Sequence, residues 1–109
     1  QDISGEDKEF ERELLDTYVD STKEVFDQLE TALKARDQKT AHRAAHTIKG
    51  SAAQLGGPRV SEAAKQIEEN IGPEGSGDKA DSVYEDALAK LPELKKLSEA
   101  FVASFEEYL

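Results

Sequence analysis

The chain has 109 residues, a length that suits one domain with a single hydrophobic core. Its 24 acidic and 14 basic residues give a formal charge of −10, which repels the phosphate backbone of a nucleic acid and disfavours an anionic membrane surface. There is no cysteine, which excludes disulfides, thiolate metal sites and thiol nucleophiles. We therefore expect a single domain over residues 1–109 that binds neither nucleic acid nor membranes.

No apolar run approaches the roughly 20 residues of a transmembrane helix, and there is no signal-peptide core. A cytoplasmic location is therefore expected, with the nucleus as a further location in a eukaryote. Because the chain begins at Gln1 rather than at a methionine, we expect a trimmed sequence or a domain cut from a longer protein.

Apolar residues recur at spacings of three and four along most of the chain, and they do not alternate with polar residues over the length of a strand. Glycine and proline cluster mainly at residues 56–58 and 72–77. This pattern predicts helices and no sheet. Four amphipathic helices with short connections pack most simply as an all-α, up-and-down antiparallel four-helix bundle.

The first two helices are predicted from Asp7 to Arg36 and from Gln38 to Leu55, with a short extra turn or helix from Gln1 to Gly5. Asp37 is a suitable N-cap for the second helix, because its carboxylate can accept hydrogen bonds from the free amides of the first turn. The positions expected in the core are Phe10, Leu14, Leu15, Tyr18, Val25, Phe26, Leu29, Ala32 and Leu33, followed by Ala41, Ala44, Ala45, Ile48, Ala52 and Leu55.

The third helix is predicted to begin at Pro58 after a left-handed Gly56, since the first turn of a helix does not need the amide proton that proline lacks. The fourth is predicted to begin after the glycine-rich loop, with Asp81 or Ser82 as its cap. Pro92 is expected to kink it about one turn earlier, near Leu88. The core positions are Val60, Ala63, Ala64, Ile67 and Ile71, and then Val83, Ala87, Leu88, Leu91, Leu94, Leu97, Phe101, Phe105 and Tyr108.

The second helix is predicted to carry an outward-facing histidine. At about 100° per residue, His46 lies roughly 150° from the centre of the small-residue core stripe of this helix. His42 lies one turn before it on the same face, and Gly50 and Ala53 follow one and two turns later. Lys49 lies at the flank. His46 therefore stands beside one cation and two positions with little or no side chain, Gly50 and Ala53.

Gly50 is unfavourable in the middle of a helix, where glycine costs about 1 kcal/mol relative to alanine. One explanation is the close packing of another helix, although Gly50 falls on the solvent side. The other explanation is that a bulky group approaches the imidazole from outside.

These residue types suit phosphoryl transfer. A histidine side chain is partly neutral near pH 7, because its usual pKa is about 6.5, so a ring nitrogen can attack an electrophilic phosphorus. Catalysis of such transfers consists largely of positioning and charge stabilisation. Lys49 can place its ammonium near phosphoryl oxygens held on His46, and Gly50 and Ala53 leave room for the donor.

The segment from Ala45 to Gly56 reads AHTIKGSAAQLG and resembles the motif of histidine-containing phosphotransfer (Hpt) domains, roughly His-x-x-Lys-Gly-x5-Gly. The motif is fairly specific, because it combines an outward histidine, a lysine, a mid-helix glycine and a helix stop. The turn at residues 56–60 and the long first and last helices are also similar to free-standing phosphorelay shuttles, so the resemblance covers nearly the whole chain.

The resemblance implies a phosphorelay intermediate: His46 accepts a phosphoryl group from the aspartate of a receiver domain and passes it to another receiver. It implies Lys49 as the positively charged helper, a hybrid sensor histidine kinase as a further partner, and a monomer. The family has no kinase or nucleotide site of its own, and this sequence has no Gly-rich phosphate loop. We expect no hydrolase activity and no cofactor in this chain, with a magnesium ion on the receiver.

Glu68 stands 22 residues after His46, where family members often place a polar side chain that bonds the other ring nitrogen. A glutamate there would fix the tautomer, although it also adds negative charge near a phosphoryl group. Gln54 is a competing candidate for polar contact with the partner. The expected docking surface around His46 comprises His42, Lys49, Gly50, Ala53, Gln54 and Gly57, with Ile3 and Phe10 at its edge.

Other sites and functions are less well supported by the residues. Two histidines four residues apart can share a metal ion, but His42 and His46 have no third histidine or cysteine to complete a site. Ser51 and Thr47 lack the Asp/His pair of a hydrolase. The main alternative function is a helical adaptor that binds receiver or kinase domains without being phosphorylated, and a third possibility is a piece of a larger hybrid kinase.

Overall fold

The computed structural model describes residues 3–74, 76–77 and 79–109, with burial described from residue 8 onward. Within those residues the chain forms no strand and four α-helices, namely α1 (Ile3–Lys34), α2 (Gln38–Gln54), α3 (Pro58–Ile71) and α4 (Asp81–Tyr108). Each helix packs against two others, in the ring α1, α2, α3, α4 and back to α1. The predicted all-α, up-and-down four-helix bundle is thus confirmed. Among the described residues, no helix combines the length and apolar character that a membrane span requires.

The connection between α1 and α2 follows the sequence prediction closely. α1 begins at Ile3 and not at Asp7, so the described part of the predicted N-terminal turn is continuous with it, while Gln1 and Asp2 lie outside the described residues. Arg36 adopts a left-handed backbone, with φ of 58°. Asp37 caps α2 as predicted, since its carboxylate accepts from the Thr40 amide at 3.2 Å.

The predicted start of α3 is confirmed and the predicted cap of α4 is wrong. α3 begins at Pro58, after a left-handed Gly56 with φ of 80°. At α4 the N-cap is Ala80, without a side-chain cap bond, and Asp81 instead pairs with Arg36 at 3.2 Å. α4 is one uninterrupted helix through Pro92, and the kink there stays a prediction.

The core lies between the four helices and is built largely from the predicted positions. The alanine stripe of α2 is buried, and its small side chains let α2 approach its neighbours closely. Tyr84, which the sequence pattern missed, is only 1% exposed. The guanidinium of Arg36 lies 5.5 Å from the centroid of its ring, so this polar aromatic residue is covered by a neighbouring cation.

Two aromatic residues predicted for the core lie on the surface instead. Phe10 is 62% exposed and Tyr108 is 63% exposed. The cause is helix length, because α1 has 32 residues and α4 has 28, whereas α2 has 17 and α3 has 14. At about 1.5 Å per residue, the start of α1 and the end of α4 extend beyond the other pair. There only two helices cover each other, so their apolar faces remain open. Leu14 is 39% exposed and borders a surface cavity beside Gln54 and Leu55 at the end of α2.

Gln38 begins α2 and fixes it against the end of α3. Its side-chain amide nitrogen lies 3.2 Å from the carbonyl oxygen of Ile71, 2.9 Å from that of Gly72 and 2.8 Å from that of Pro73. The residue is 7% exposed, so water cannot replace these contacts easily. This anchor sets the register between α2 and α3.

We expect Gln38→Leu to lower the free energy of unfolding by about 1–3 kcal/mol, because it removes the donor from the buried carbonyl oxygen of Ile71 and from the part-buried ones of Gly72 and Pro73. Urea unfolding followed by circular dichroism measures this difference. Gln66→Leu, on the exposed side of α3, is the matched control and should change the free energy much less. Equal losses in the two variants would contradict the anchoring role.

Candidate functional site

The imidazole of His46 projects from the middle of α2 away from the core. Its side chain is 61% exposed, whereas Ala45 and Ile48 on the same helix are buried. The helical periodicity of α2 accounts for both facts, since the alanine stripe occupies one face and His46 occupies the opposite face. One ring edge of His46 is thus open to another molecule.

Glu68 on α3 holds the inner edge of that ring. Its Oε2 lies 2.8 Å from Nδ1 of His46, and its side chain is only 11% exposed. An ionised carboxylate can only accept hydrogen bonds, so Nδ1 carries the proton and donates it. Nε2 is then the ring nitrogen with a free lone pair, and it has no hydrogen-bond partner among the described residues.

Lys49 reaches the same carboxylate. Its ammonium nitrogen lies 2.7 Å from Oε1 of Glu68, and the lysine side chain is 29% exposed. Burial by itself raises the pKa of Glu68, but Lys49 and His46 outweigh burial and leave the pKa of this carboxyl below its usual value. Glu68 is therefore ionised at neutral pH and bridges the two motif side chains.

The lowered pKa of Glu68 links folding to pH. The stability that Glu68 contributes is fully present above its usual value of 4.5 and is lost as the pH falls through the lowered pKa. We expect Glu68→Gln to be less stable than the wild type at about pH 7 and to lose less stability between about pH 5 and pH 3. Urea unfolding at several pH values measures both effects.

Glu69→Gln, on the exposed side of α3, is the matched control for this experiment. It should follow the wild-type pH profile, because Glu69 does not bridge the two motif side chains. A Glu68→Gln profile that parallels the wild type throughout the acid range would contradict the ion pairing described above.

Further along α2, the surface beyond the imidazole is open. A Cβ atom added at Gly50 would meet nothing within 4 Å, so no neighbouring helix requires this glycine. Ala53 and Gln54 are exposed beyond it. Of the two explanations for a mid-helix glycine, the structure therefore excludes close packing within the bundle and leaves approach from outside.

Two residues of the expected docking surface, Gly57 and His42, are less exposed than predicted. Gly57 is buried, and a Cβ atom there would lie 3.2 Å from the ring of Phe101, so it is a packing glycine beneath α4 and not part of the surface. The His42 side chain is only 18% exposed, with Nε2 3.5 Å from Oε2 of Glu68. At the expected edge, Phe10 is exposed, while the side chain of Ile3 lies outside the described residues.

Ser61 is a further contact that the sequence pattern did not identify. Its hydroxyl donates to the backbone carbonyl of Lys49 at 3.1 Å, which ties the start of α3 to the centre of α2. No motif signals such a bond, because a serine near a helix start is common for local reasons. The bond helps to keep Glu68 within reach of His46.

The two halves of the bundle differ in charge. Residues 37–74, which contain α2 and α3, include five basic and five acidic residues, so the formal charge of −10 belongs to the rest of the chain. Around α2, Arg43 pairs with Glu74 at 2.8 Å. A negatively charged partner therefore meets much less repulsion at α2 than at α1 or α4.

The fold agrees with the comparison to known families. The model of the Hpt domain matches residues 13–104, and the chain belongs to the Hpt domain family. A relative from Dictyostelium discoideum, the phosphorelay intermediate protein rdeA, is 31% identical over 106 residues, which cover 97% of this chain and 41% of that protein. The chain thus spans about two fifths of the length of that relative. No solved structure matches the chain significantly.

Proposed function

We propose that this domain is a phosphorelay intermediate that carries a phosphoryl group on Nε2 of His46 between receiver domains. The observation that carries the proposal is the combination of a ring that is 61% exposed with an Nδ1 bound at 2.8 Å to Glu68. This arrangement leaves Nε2, the nucleophilic nitrogen, on the side of the ring away from Glu68. Family membership and the phosphorelay relative support the same role.

In the proposed transfer, the lone pair of Nε2 attacks the phosphorus of a receiver's acyl phosphate. The bond between phosphorus and the aspartate oxygen breaks, and the aspartate carboxylate leaves. Throughout this step the proton stays on Nδ1, which donates a hydrogen bond to the Glu68 carboxylate. In the return step the same proton lets His46 leave as a neutral imidazole, which is a far better leaving group than an imidazolate.

Lys49 is proposed to stabilise the phosphoryl oxygens as a mobile point charge. We expect Lys49→Ala to slow transfer by roughly tenfold to a hundredfold, the range for the loss of one charge-assisted hydrogen bond. The helicity should be unchanged, because Lys49 is on the surface of α2. Initial rates of labelling from a phosphorylated receiver measure the effect, and a large loss of helicity would show a structural role instead.

Lys65→Ala is the control for that variant. Lys65 is an exposed lysine on α3 that borders the same surface cavity as Lys49 and Glu68. The Lys65→Ala variant removes the same charge from the same face as Lys49→Ala. Because Lys65 is exposed and Lys49 is the lysine that pairs with Glu68, Lys65→Ala should leave the transfer rate within about twofold of the wild-type rate. A loss equal to that of Lys49→Ala would mean that general surface charge, and not Lys49, is responsible.

The docking surface is proposed to centre on His46, with Gly50, Ala53 and Gln54 beside it. Its partner carries an acyl phosphate and a magnesium ion, and this chain supplies neither a cofactor nor kinase or hydrolase activity. The near-neutral α2 and α3 half favours approach of a phosphorylated carboxylate on this side. A modest contact area suits a monomeric carrier that must dissociate quickly.

A phosphotransfer profile tests the proposal. The receiver domains of the source genome are each loaded with phosphate, incubated with this domain and assayed for acid-labile label on it. We expect rapid labelling from a small subset, including receivers of hybrid sensor kinases. Binding to receivers without labelling would favour the adaptor function and would contradict the carrier function.

A further inference from the structure

Glu68 faces three side chains with nitrogen donors, although it has only two oxygens. Oε1 pairs with Lys49 at 2.7 Å, whereas Oε2 lies 2.8 Å from Nδ1 of His46 and 3.5 Å from Nε2 of His42. The Glu68 side chain is 11% exposed. A carboxylate at this depth depends on such neighbours, more than on water, for its charge compensation.

This inference rests on the proposed function, in which His46 is phosphorylated. The phosphoryl group then attracts the Lys49 ammonium, which pairs with Glu68 in the unphosphorylated domain. Nδ1 is the nitrogen that faces Glu68, so the phosphoryl group on Nε2 lies on the side of the ring away from the carboxylate. When the Lys49 ammonium turns to the phosphoryl oxygens, it leaves Oε1 of Glu68. A carboxylate that has lost its cation holds its position on Nδ1 less firmly, because unpaired buried charge is costly.

The His42 ring is placed to compensate for that loss. It is 18% exposed, and it lies nearly parallel to the His46 ring, with centroids 6.3 Å apart and an interplanar angle of 14°. Its Nδ1 is buried and has no hydrogen-bond partner in the part of the chain that the structure describes. The 3.5 Å separation from Oε2 is longer than a good hydrogen bond, so this contact is weak while Lys49 is present and can tighten when it leaves.

We propose that His42 is a positioning residue that donates from Nε2 to Glu68 in the phosphorylated domain. It keeps the carboxylate on Nδ1 of His46 while Lys49 serves the phosphoryl group. In the resting domain Lys49 holds Glu68, and His42 contributes little. His42 thus acts through Glu68 and does not touch the reacting atoms.

The Lys49→Ala variant tests this exchange without phosphorylation, because it removes the lysine from Glu68. The nitrogen-15 chemical shift of Nδ1 of His46 reports the hydrogen bond to Glu68. We expect His42→Leu to leave this shift unchanged in the wild-type background and to move it toward that of a free imidazole in the Lys49→Ala background. His42→Gln retains a side-chain N–H donor and should leave the shift unchanged in both backgrounds.

A second measurement uses the phosphorylated domain, which is prepared with phosphoramidate. In that reaction Nε2 of His46 attacks phosphorus, the P–N bond of phosphoramidate breaks, and ammonia leaves. His42→Leu is expected to slow the loss of the phosphoryl group to water roughly fivefold, the ratio for one weakened hydrogen bond. The reason is that the hydrogen bond between Glu68 and the Nδ1 proton is then weaker, so phosphohistidine keeps that proton less often. Without the proton the leaving group is an imidazolate, which leaves slowly. His42→Gln should restore the wild-type rate.

Two outcomes would overturn this role of His42. One is an unchanged Nδ1 shift on His42→Leu in the Lys49→Ala background, and the other is an equal change in both backgrounds. Failure of every receiver to label the domain would instead overturn the proposed function. Because the chemical-shift measurement needs no receiver and no phosphoryl group, the two failures are distinguishable.

Discussion

The His46→Gln variant is expected to fold normally and to accept no phosphoryl group from any receiver domain. The His46 side chain is 61% exposed, and a glutamine amide can still donate to Glu68. We therefore expect the free energy of unfolding to stay within about 0.5 kcal/mol of the wild-type value. The label should disappear completely, because an amide nitrogen is not a nucleophile.

His42→Gln is the natural control, since the chain contains two histidines. It should acquire label to the same final extent as the wild type, because the His42 side chain is only 18% exposed and its Nε2 faces Glu68. Acid-labile label that persists on His46→Gln would defeat the assignment of His46. Loss of label from both variants, with both still folded, would point to disturbance of the shared Glu68 contact.

Enlarging Gly50 is expected to raise stability and abolish docking. Substitution of glycine by alanine or leucine inside a helix stabilises it by up to about 1 kcal/mol. A Cβ atom added at Gly50 would meet nothing within 4 Å, so no clash opposes this gain. Gly50→Leu should nevertheless lose nearly all transfer from receivers, because the side chain fills the space beside His46 that the partner needs.

Gly50→Ala separates these two effects. It gains most of the same helix stability but adds only one methyl group, so we expect it to retain a substantial part of the transfer rate. Urea unfolding measures the stability of both variants, and initial labelling rates measure transfer. Transfer by Gly50→Leu at the wild-type rate would contradict the approach of the partner over this glycine.

The periodicity of α2 was sufficient to predict the orientation of its central histidine. The alanine stripe leaves one possible buried face, and a 3.6-residue repeat then fixes the direction of every other side chain on that helix. Pro58 was equally informative, since a proline after a glycine pair has few places other than a helix start. These are local rules, and they require no knowledge of the neighbouring helices.

The predictions that were wrong depended on relations between helices. Phe10 and Tyr108 satisfy the apolar repeat of their own helices, but the shorter α2 and α3 do not reach them, and no repeat within α1 or α4 encodes that difference. Gly57 resembled a surface turn until the position of Phe101 was known. Tyr84 is buried in the core, and Arg36, in the connection between α1 and α2, lies over its ring, a contact that no repeat within α4 encodes.

In the candidate site, too, some features follow from one helix alone and others depend on how two helices pack. The spacing within α2 relates His46 to Lys49 without reference to the rest of the molecule. The contact of both with Glu68 depends on the register of α3 against α2, which the Gln38 anchor and the Ser61 bond set. The 3.5 Å contact between His42 and Glu68 depends on that register to within about 0.5 Å, the precision that functional side chains generally require.

The central claim is that Nε2 of His46 is the atom that receives the phosphoryl group. The most direct measurement is nitrogen-15 and phosphorus-31 NMR of the wild-type domain after transfer from a phosphorylated receiver. We predict one phosphoryl group, attached to Nε2 of His46, with Nδ1 still protonated. A phosphoryl group on Nδ1, or on any residue other than His46, would contradict the arrangement in which Glu68 holds the inner edge of an open ring.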